Sequence, residues 1–152
     1  MKLHRNEADF QDEVIKEFRA QGWYAAHLSP ANCPGWQDVI ALRWPYGLVL
    51  ELKDYTSADY EKPAKDLFTA AQRPRYLEQL GYGIGGIWIG LYDRTPDIKE
   101  SRYELTFLSN KSDVINLGNK DTLDLTEISC ISYPTAEAMV RHMITMTKGV
   151  RP

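Results

Sequence analysis

The sequence predicts an α/β fold in which helices flank a mixed β-sheet. Segments with the apolar period of a helix alternate with short apolar runs typical of strands, in the order α-β-β-β-α-β-β-(β)-α. Two of these runs, residues 37–43 and 47–54, are separated only by a short turn, so this pair of strands is expected to be antiparallel. We expect a single domain over residues 1–152, with a core at about 6–93 and a C-terminal elaboration at about 101–148.

The first half of the chain predicts one helix and three strands. Residues 6–21 form the helix, with Asn6 as its N-cap and Gly22 as its stop signal. The three strands are predicted at WYAAHLS (23–29), QDVIALR (37–43) and GLVLELKD (47–54). The last two form a hairpin across WPYG, in which Pro45 and Gly47 occupy the positions that a type I turn prefers.

The second half predicts two helices and further strands. A helix is expected from about residue 65 to 80, with a break or kink at Pro74 because proline lacks the helical N–H. The further elements are strands at IGGIWIGLYD (84–93), SRYELTFLS (101–109) and ISCISYP (128–134), and a last helix from Thr135 to about Lys148. The first of these strands is strongly apolar and is expected near the centre of the sheet. Residues 110–127 are polar and fit no regular pattern.

Composition restricts the classes of function. Hydrophobic residues at 43% and charged residues at 26% are typical of an ordinary soluble globular protein. No apolar run approaches the length of a membrane span, and the N-terminus lacks the apolar core of a signal peptide, so no membrane partner is expected. A net charge of −3 counts against indiscriminate nucleic-acid binding but leaves room for a local basic groove. Cys33 and Cys130 lack metal-ligand spacing and are expected to be free thiols.

Three charged residues lie inside the predicted hairpin, where apolar residues would be expected. Side chains alternate between the two faces of a strand, so Glu51 and Lys53 share one face. If Trp44 and Gly47 close the turn as a pair, Asp38 lies opposite Lys53 on that same face and is a diagonal neighbour of Glu51. This inference depends on the register, because a slip of one residue would move one set of side chains to the other face.

Two converging carboxylates beside an ammonium group suit a hard divalent cation. Mg²⁺ is usually held by one or two carboxylates, with waters and phosphate oxygens completing its coordination. Such a metal neutralises charge on a scissile phosphate and lowers the pKa of a bound water, and Lys53 could orient that water. A structural alternative is an ion pair between Asp38 and Lys53 on a solvent-facing sheet, with Glu51 simply exposed.

The first helix brings a further carboxylate toward its buried side. Its buried stripe is predicted to consist of Phe10, Val14, Ile15 and Phe18. Glu7 and Gln11 lie near the middle of this stripe, whereas Glu13 and Glu17 lie to its side. A carboxylate on a buried face needs a partner, and a metal with its waters or Lys53 would supply one. The alternative is a fraying first turn in which Glu7 is favoured by the helix dipole.

An ordered set of motifs resembles the PD-(D/E)XK nuclease superfamily. The set consists of Glu7, GWQD with Asp38, ELK with Glu51 and Lys53, and AAQRPRYLEQLG with Gln72. Within the superfamily, the chain is most similar to the small VRR-NUC and Holliday-junction-resolvase-like groups. Their pattern is a helix with a glutamate, a Gly-x-x-Asp loop-strand, a strand ending in Glu-x-Lys and a helix with a glutamine. The resemblance covers residues 7 to about 90.

This resemblance implies a restriction-endonuclease-like core and a Mg²⁺- or Mn²⁺-dependent DNA endonuclease. Asp38 and Glu51 would bind the metal, with help from the Leu52 carbonyl. Lys53 would be the catalytic lysine, and Glu7 would hold a metal-bound water or a second metal. The chain departs from the pattern at Gln37, where the family usually has a proline that mainly shapes the start of the strand.

The resemblance also implies partners and a location. Gln72 would support the site or contact the nucleic-acid backbone, and the substrate would be DNA, with a preference for branched or junction DNA. A homodimer is implied because two symmetric cuts need two sites, and the IWIGLY strand or the Met-rich last helix could supply a two-fold interface. The resemblance to such nucleases implies that the protein is located in the cytoplasm of a bacterial or phage-infected cell.

Residues 60–76 carry a local excess of positive charge and are the predicted substrate contacts. The candidates for nucleic-acid binding are Lys62, Lys65, Arg73, Arg75 and Tyr76. Tyr55 and Tyr60, together with Tyr76, could stack on unpaired bases. The alternative is a solvated helix face.

Other readings of the sequence remain open or are set aside. GYGIGG (81–86) spells the dinucleotide-binding pattern but follows a helix and opens a strand, so no nucleotide cofactor is expected. A non-cleaving nucleic-acid-binding accessory protein with the same fold is the main alternative to a nuclease. A structural or interaction domain whose charges form surface pairs is a second alternative.

Overall fold

A computed structural model of the chain describes eight ranges of residues. These are 6–28, 34–55, 61–63, 72–82, 86–96, 100–118, 122–124 and 131–149. Several predicted features lie outside the described residues, namely Tyr60, Lys65, both cysteines and the first part of the helix expected from residue 65. The structure describes the backbone of Lys62, which lies in a strand, but not its side chain.

The described residues form a mixed six-stranded sheet flanked by helices, which confirms the predicted fold class. The strands are β1 (Tyr24–His27), β2 (Val39–Arg43), β3 (Tyr46–Tyr55), β4 (Glu61–Pro63), β5 (Ile87–Asp93), β6 (Tyr103–Leu108), β7 (Thr122–Asp124) and β8 (Ile131–Tyr133). The helices are α1 (Glu7–Ala20), α2 (Gln72–Gly81), α3 (Lys111–Gly118) and α4 (Ala136–Gly149). The large sheet has the order β1-β2-β3-β5-β6-β8, and β4 pairs with β7 separately. Only the central pair, β3 and β5, is parallel among these described pairings.

Helix α1 forms as its sequence predicts. The Asn6 side chain accepts a hydrogen bond of 3.0 Å from the backbone N–H of Asp9, which caps the first turn. The apolar stripe of Phe10, Val14, Ile15 and Phe18 is buried against the sheet. After the helix, Gly22 adopts a φ of 83°, a left-handed conformation that glycine adopts without steric cost.

The β2–β3 hairpin has a different register from the predicted one. The observed pairing joins Arg43 to Tyr46, so the turn comprises only Trp44 and Pro45, whose peptide bond is cis. The predicted type I turn with Gly47 inside it is therefore wrong, because β3 begins at Tyr46 and Gly47 already belongs to the strand. The pairing is shifted by two residues along the strand. Since the side-chain period of a strand is two, the shift leaves every side chain on its predicted face.

The two faces of the sheet carry separate cores. Helices α1 and α4 cover the face on which Leu48, Leu50 and Leu52 lie. Helices α2 and α3 contribute to a second core on the opposite face, which consists of Tyr55, Tyr76, Ile87, Ile89, Leu91, Leu108 and Val114. Glu51 and Lys53 alternate with the leucines of β3 and therefore belong to this second face.

Both surfaces suggested for a two-fold interface are largely buried within the chain itself. All seven residues of β5 are buried, as expected for a central strand with helices on both sides. In α4, Met139, Val140 and Met143 belong to the first core. The suggestion that the IWIGLY strand supplies an interface is therefore wrong, whereas Met146 of α4 is 45% exposed and an interface on the last helix stays a prediction.

Two features of the second half bear on the prediction. Pro74 is the third residue of α2, in the first turn of a helix, which does not need its N–H, and the stretch of the predicted helix before Gln72 lies outside the described residues. The polar region 110–127 contains α3 and β7. Helix α3 has a reciprocal cap, since Asn110 Oδ1 accepts from Asp113 N–H at 3.1 Å and Asp113 Oδ2 accepts from Asn110 N–H at 3.3 Å. No helix in the described ranges is both long and apolar enough to cross a membrane.

Candidate active site

The carboxylates of Asp38 and Glu51 meet on the second face of the sheet. Asp38 directly precedes β2, and continuing the observed register by one pair places it across from Glu51 rather than from Lys53. Asp38 Oδ2 accepts a hydrogen bond of 2.8 Å from the backbone N–H of Leu52. The backbone of β3 thus fixes the Asp38 carboxylate beside the Glu51 side chain.

Glu51 is a fully buried carboxylate that α2 holds in place. Its Oε2 accepts hydrogen bonds from the Tyr76 hydroxyl at 2.8 Å and from Gln72 Nε2 at 3.1 Å. Its Oε1 lies 3.1 Å from the ammonium of Lys53, which is 21% exposed while Glu51 is 0% exposed. Beyond this ion pair, Oε1 has no further hydrogen-bond partner among the described residues. An ion pair between Asp38 and Lys53 with an exposed Glu51 is therefore excluded.

The electrostatics of the site favour an additional positive charge. Burial and the charge of Asp38 raise the pKa of Glu51 to about 7, although Lys53 and the Tyr76 hydrogen bond oppose the rise. Burial also raises the pKa of Asp38, against the opposing effect of the Leu52 N–H. Burial lowers the pKa of Lys53, but the charges of Glu51 and Glu7 outweigh it and raise that pKa overall. The lysine is thus a cation, and its single charge does not fully compensate the buried carboxylates.

The donor set fits a hard divalent cation. The carboxylates of Asp38 and Glu51 provide the oxygen ligands that Mg²⁺ and Mn²⁺ prefer. No group of three or more His, Cys, Asp or Glu side chains with metal-binding geometry occurs within the described ranges. Waters, backbone carbonyls or substrate oxygens would have to complete the coordination, which is the usual situation for Mg²⁺.

Glu7 rather than Glu13 is the glutamate of α1 that influences the site electrostatically. Glu7 is the first residue of the helix, and its charge is close enough to Lys53 to raise the pKa of the lysine. Both carboxylate oxygens of Glu13 instead accept from the Tyr103 hydroxyl, at 2.8 and 2.9 Å. The position of Glu7 on the buried side of the helix agrees with the sequence-based choice.

Tyr76 is a buried partner of Glu51 and not an exposed contact for nucleic acid. Predicted as a nucleic-acid contact, it is fully buried and donates its hydroxyl hydrogen to Glu51. Burial and the charge of Glu51 raise the pKa of Tyr76 far above its ordinary value, so the hydroxyl remains a donor. Gln72, four residues earlier on the same helix face, shares this role, and its prediction as a supporting residue matches the geometry.

Among the other predicted contacts to nucleic acid, the structure describes the side chains of Arg73, Arg75 and Tyr55. Arg73 and Arg75 are half-buried on α2, and Arg75 forms an ion pair of 3.2 Å with Glu78. Tyr55 is buried and donates to Glu104 Oε2 at 3.0 Å, so its prediction as a base-stacking residue is wrong. The predicted metal contact through the Leu52 carbonyl stays a prediction.

Comparison with known proteins finds remote likenesses among solved structures. No family model matches the chain, and no curated protein matches it. Among the solved structures that match is Archaeoglobus fulgidus Hjc, described as a Holliday junction resolvase from an archaeal hyperthermophile. The two chains are 15% identical, the alignment covers 87% of this chain and 97% of that one, and the TM-score is 0.48. A likeness at this identity and TM-score carries no argument about the activity of this chain.

Proposed function

We propose that this chain is a metal-dependent DNA endonuclease whose active site is formed by Asp38, Glu51 and Lys53. The observation that carries the proposal is the burial of Glu51, a carboxylate with 0% exposure that is placed beside a second carboxylate and a lysine. Burying a carboxylate costs several kcal/mol unless its charge is compensated, and Lys53 supplies one positive charge for the two carboxylates. A bound cation would supply the remaining charge, and the ordered set of family-like motifs supports a nuclease as the reason for the arrangement.

In the proposed mechanism the side chains of the site have separate tasks. Asp38 and Glu51 would hold Mg²⁺ or Mn²⁺, which when bound supplies charge neutralisation at the scissile phosphate and lowers the pKa of a water. The Lys53 ammonium, which is partly exposed and lies 3.1 Å from Glu51 Oε1, would orient the attacking water and stabilise negative charge on the phosphate. Glu7 would bind a water or a second metal from the side of α1.

The residues of α2 would keep Glu51 in its metal-binding state. The hydrogen bonds from Tyr76 and Gln72 both go to Oε2, so Oε1, which lies beside the Lys53 ammonium, is the oxygen that a metal would bind. Hydrogen bonds to the ionised form favour ionisation of a buried carboxyl group, against the effect of burial. Tyr76 and Gln72 of α2 would therefore orient Glu51 and support its charge.

DNA, and branched or junction DNA in particular, is the proposed substrate because the motifs resemble those of resolvase-like nucleases. The test is to incubate the protein with Mg²⁺ or Mn²⁺ and with linear, single-stranded, flapped and four-way-junction DNA. Glu51→Gln preserves the size of the buried side chain and removes its charge, and Glu13→Gln is the matched control on α1. The proposal predicts metal-dependent cleavage by the wild type and by the control, and none by Glu51→Gln.

The alternative outcome distinguishes a binding protein from an enzyme. If the folded wild type shifts junction DNA in a gel but cleaves none of the DNAs with either metal, the chain is a non-cleaving nucleic-acid-binding protein. If the wild type neither binds nor cleaves DNA, the hypothesis of a structural or interaction domain is favoured. Cleavage that survives in Glu51→Gln would refute the site while leaving the activity in place.

A further inference from the structure

The three buried residues of α2 all carry hydrogen-bonding side chains. They are Gln72, Tyr76 and Gln79, which lie on one face of the helix at spacings of four and three residues. Tyr76 and Gln72 bond to Glu51. A helix that packs on a sheet normally buries an apolar stripe, so this polar stripe requires a partner for Gln79 as well.

The partner of Gln79 is Gln37, the residue directly before Asp38. Gln37 Nε2 donates to Gln79 Oε1 at 2.6 Å, and Gln79 Nε2 donates back to Gln37 Oε1 at 3.1 Å. Both side chains are buried, with 1% and 6% of their surfaces exposed. The two carboxamides therefore form a closed, reciprocal pair in the interior. Breaking either bond would leave a buried polar group unsatisfied, so the pair holds the two side chains in a fixed relative position.

This pair connects the two segments that carry the carboxylates. Asp38 is bonded to β3 through the Leu52 N–H, and Glu51 of β3 is bonded to α2 through Tyr76. The Gln37–Gln79 pair connects the residue before Asp38 to α2. Helix α2 therefore contacts both carboxylate-bearing segments: Tyr76 bonds to Glu51, and Gln79 bonds to the residue before Asp38.

We propose that Gln37 and Gln79 are positioning residues that set the separation of the two metal-binding carboxylates. The inference rests on the proposed function, since it assigns to these two carboxylates a divalent cation. Neither glutamine touches the cation or the substrate, and both act through the backbone of Asp38 and the orientation of α2. Residues that support metal ligands from behind commonly contribute about 10- to 100-fold to metal affinity or activity.

The test compares Mn²⁺ affinity in a double variant with that of the wild type. In Gln37→Leu/Gln79→Leu both partners become apolar groups of similar size, so the stability of the fold is expected to change little. The dissociation constant for Mn²⁺, measured from the electron paramagnetic resonance signal of the free ion, is expected to rise about 10- to 100-fold. The lost cleavage rate should return at high Mn²⁺, which a misfolded fraction would not show.

Two further variants keep the proposal falsifiable. Tyr103→Phe removes a hydroxyl that bonds to Glu13, on the other face of the sheet, and should leave Mn²⁺ affinity unchanged even if the protein is less stable. Should the double variant fail to melt cooperatively, Gln37→Asn replaces it, because the shorter carboxamide cannot make both bonds. An Mn²⁺ affinity equal to that of the wild type in the folded variant would overturn the proposal.

The experiment separates this inference from the proposed function. If the wild type binds Mn²⁺ but cleaves no DNA, the nuclease proposal fails, and the affinities of the variants still decide the role of the glutamines. If the variants bind like the wild type while the wild type cleaves DNA, only the inference fails. A wild type without any Mn²⁺ binding would refute both.

Discussion

The buried carboxylate Glu51 is expected to make the metal-free protein less stable at alkaline than at acidic pH. Its pKa is raised from its ordinary value of 4.5 to about 7 by burial and by Asp38. The folded state therefore binds a proton more tightly than the unfolded state, so the stabilisation is fully present below pH 4.5 and is lost as the pH rises through about 7. At about 1.36 kcal/mol for each pKa unit, the free energy of unfolding should fall by about 3 kcal/mol across this window.

The assay is urea unfolding in the presence of EDTA at several pH values between 4.5 and 8. The Glu51→Gln variant lacks the titrating group. The fall in its free energy of unfolding over this pH range should therefore be smaller than the fall in the wild type by about 3 kcal/mol. Saturating Mg²⁺ should restore wild-type stability at alkaline pH, by about 2.7 kcal/mol at one hundred times the dissociation constant. It should have no such effect on the variant. Equal pH dependence in both proteins would refute the reasoning that Glu51 is buried and coupled to Asp38.

Three further changes test other parts of the account. Tyr76→Phe removes the hydroxyl donor to Glu51 and should lower the free energy of unfolding by about 1.5–3 kcal/mol where Glu51 is ionised, measured by urea unfolding at pH 8; an unchanged value would contradict the hydrogen bond. Lys53→Met should retain Mn²⁺ binding, because it removes a neighbouring cation, but should reduce the cleavage rate about 100-fold or more; equal losses in both would assign the lysine to metal binding instead. Asn110→Ala should cost about 1 kcal/mol of stability by removing the α3 cap, with no change in cleavage rate per folded molecule.

The faces of the hairpin could be predicted from the sequence, whereas its register could not. Alternation alone places Glu51 and Lys53 on one side of β3 and the leucines on the other. The pairing depends on how many residues form the turn, and the sequence WPYG does not show that only Trp44 and Pro45 do so. The side chains nevertheless lie on their predicted faces, because the register differs from the predicted one by an even number of residues.

The helix α2 was harder to predict because its buried stripe is polar. Gln72, Tyr76 and Gln79 look like exposed residues when burial is inferred from hydrophobicity, so Tyr76 was expected in the solvent-facing basic segment. Their burial follows from partners in distant parts of the chain, Glu51 and Gln37, which periodicity cannot reveal. A local signal was available for α3, where Asn110 and Asp113 have the spacing of a reciprocal cap.

The measurement that tests the central claim most directly is the rate of Mg²⁺-dependent cleavage of a four-way-junction DNA by the wild type, by Glu51→Gln and by Glu13→Gln. The account predicts cleavage by the wild type and by Glu13→Gln at similar rates, loss of cleavage in EDTA, and no cleavage by Glu51→Gln. Cleavage by Glu51→Gln at the wild-type rate would contradict the proposed active site, because the reaction would then not need the Glu51 carboxylate.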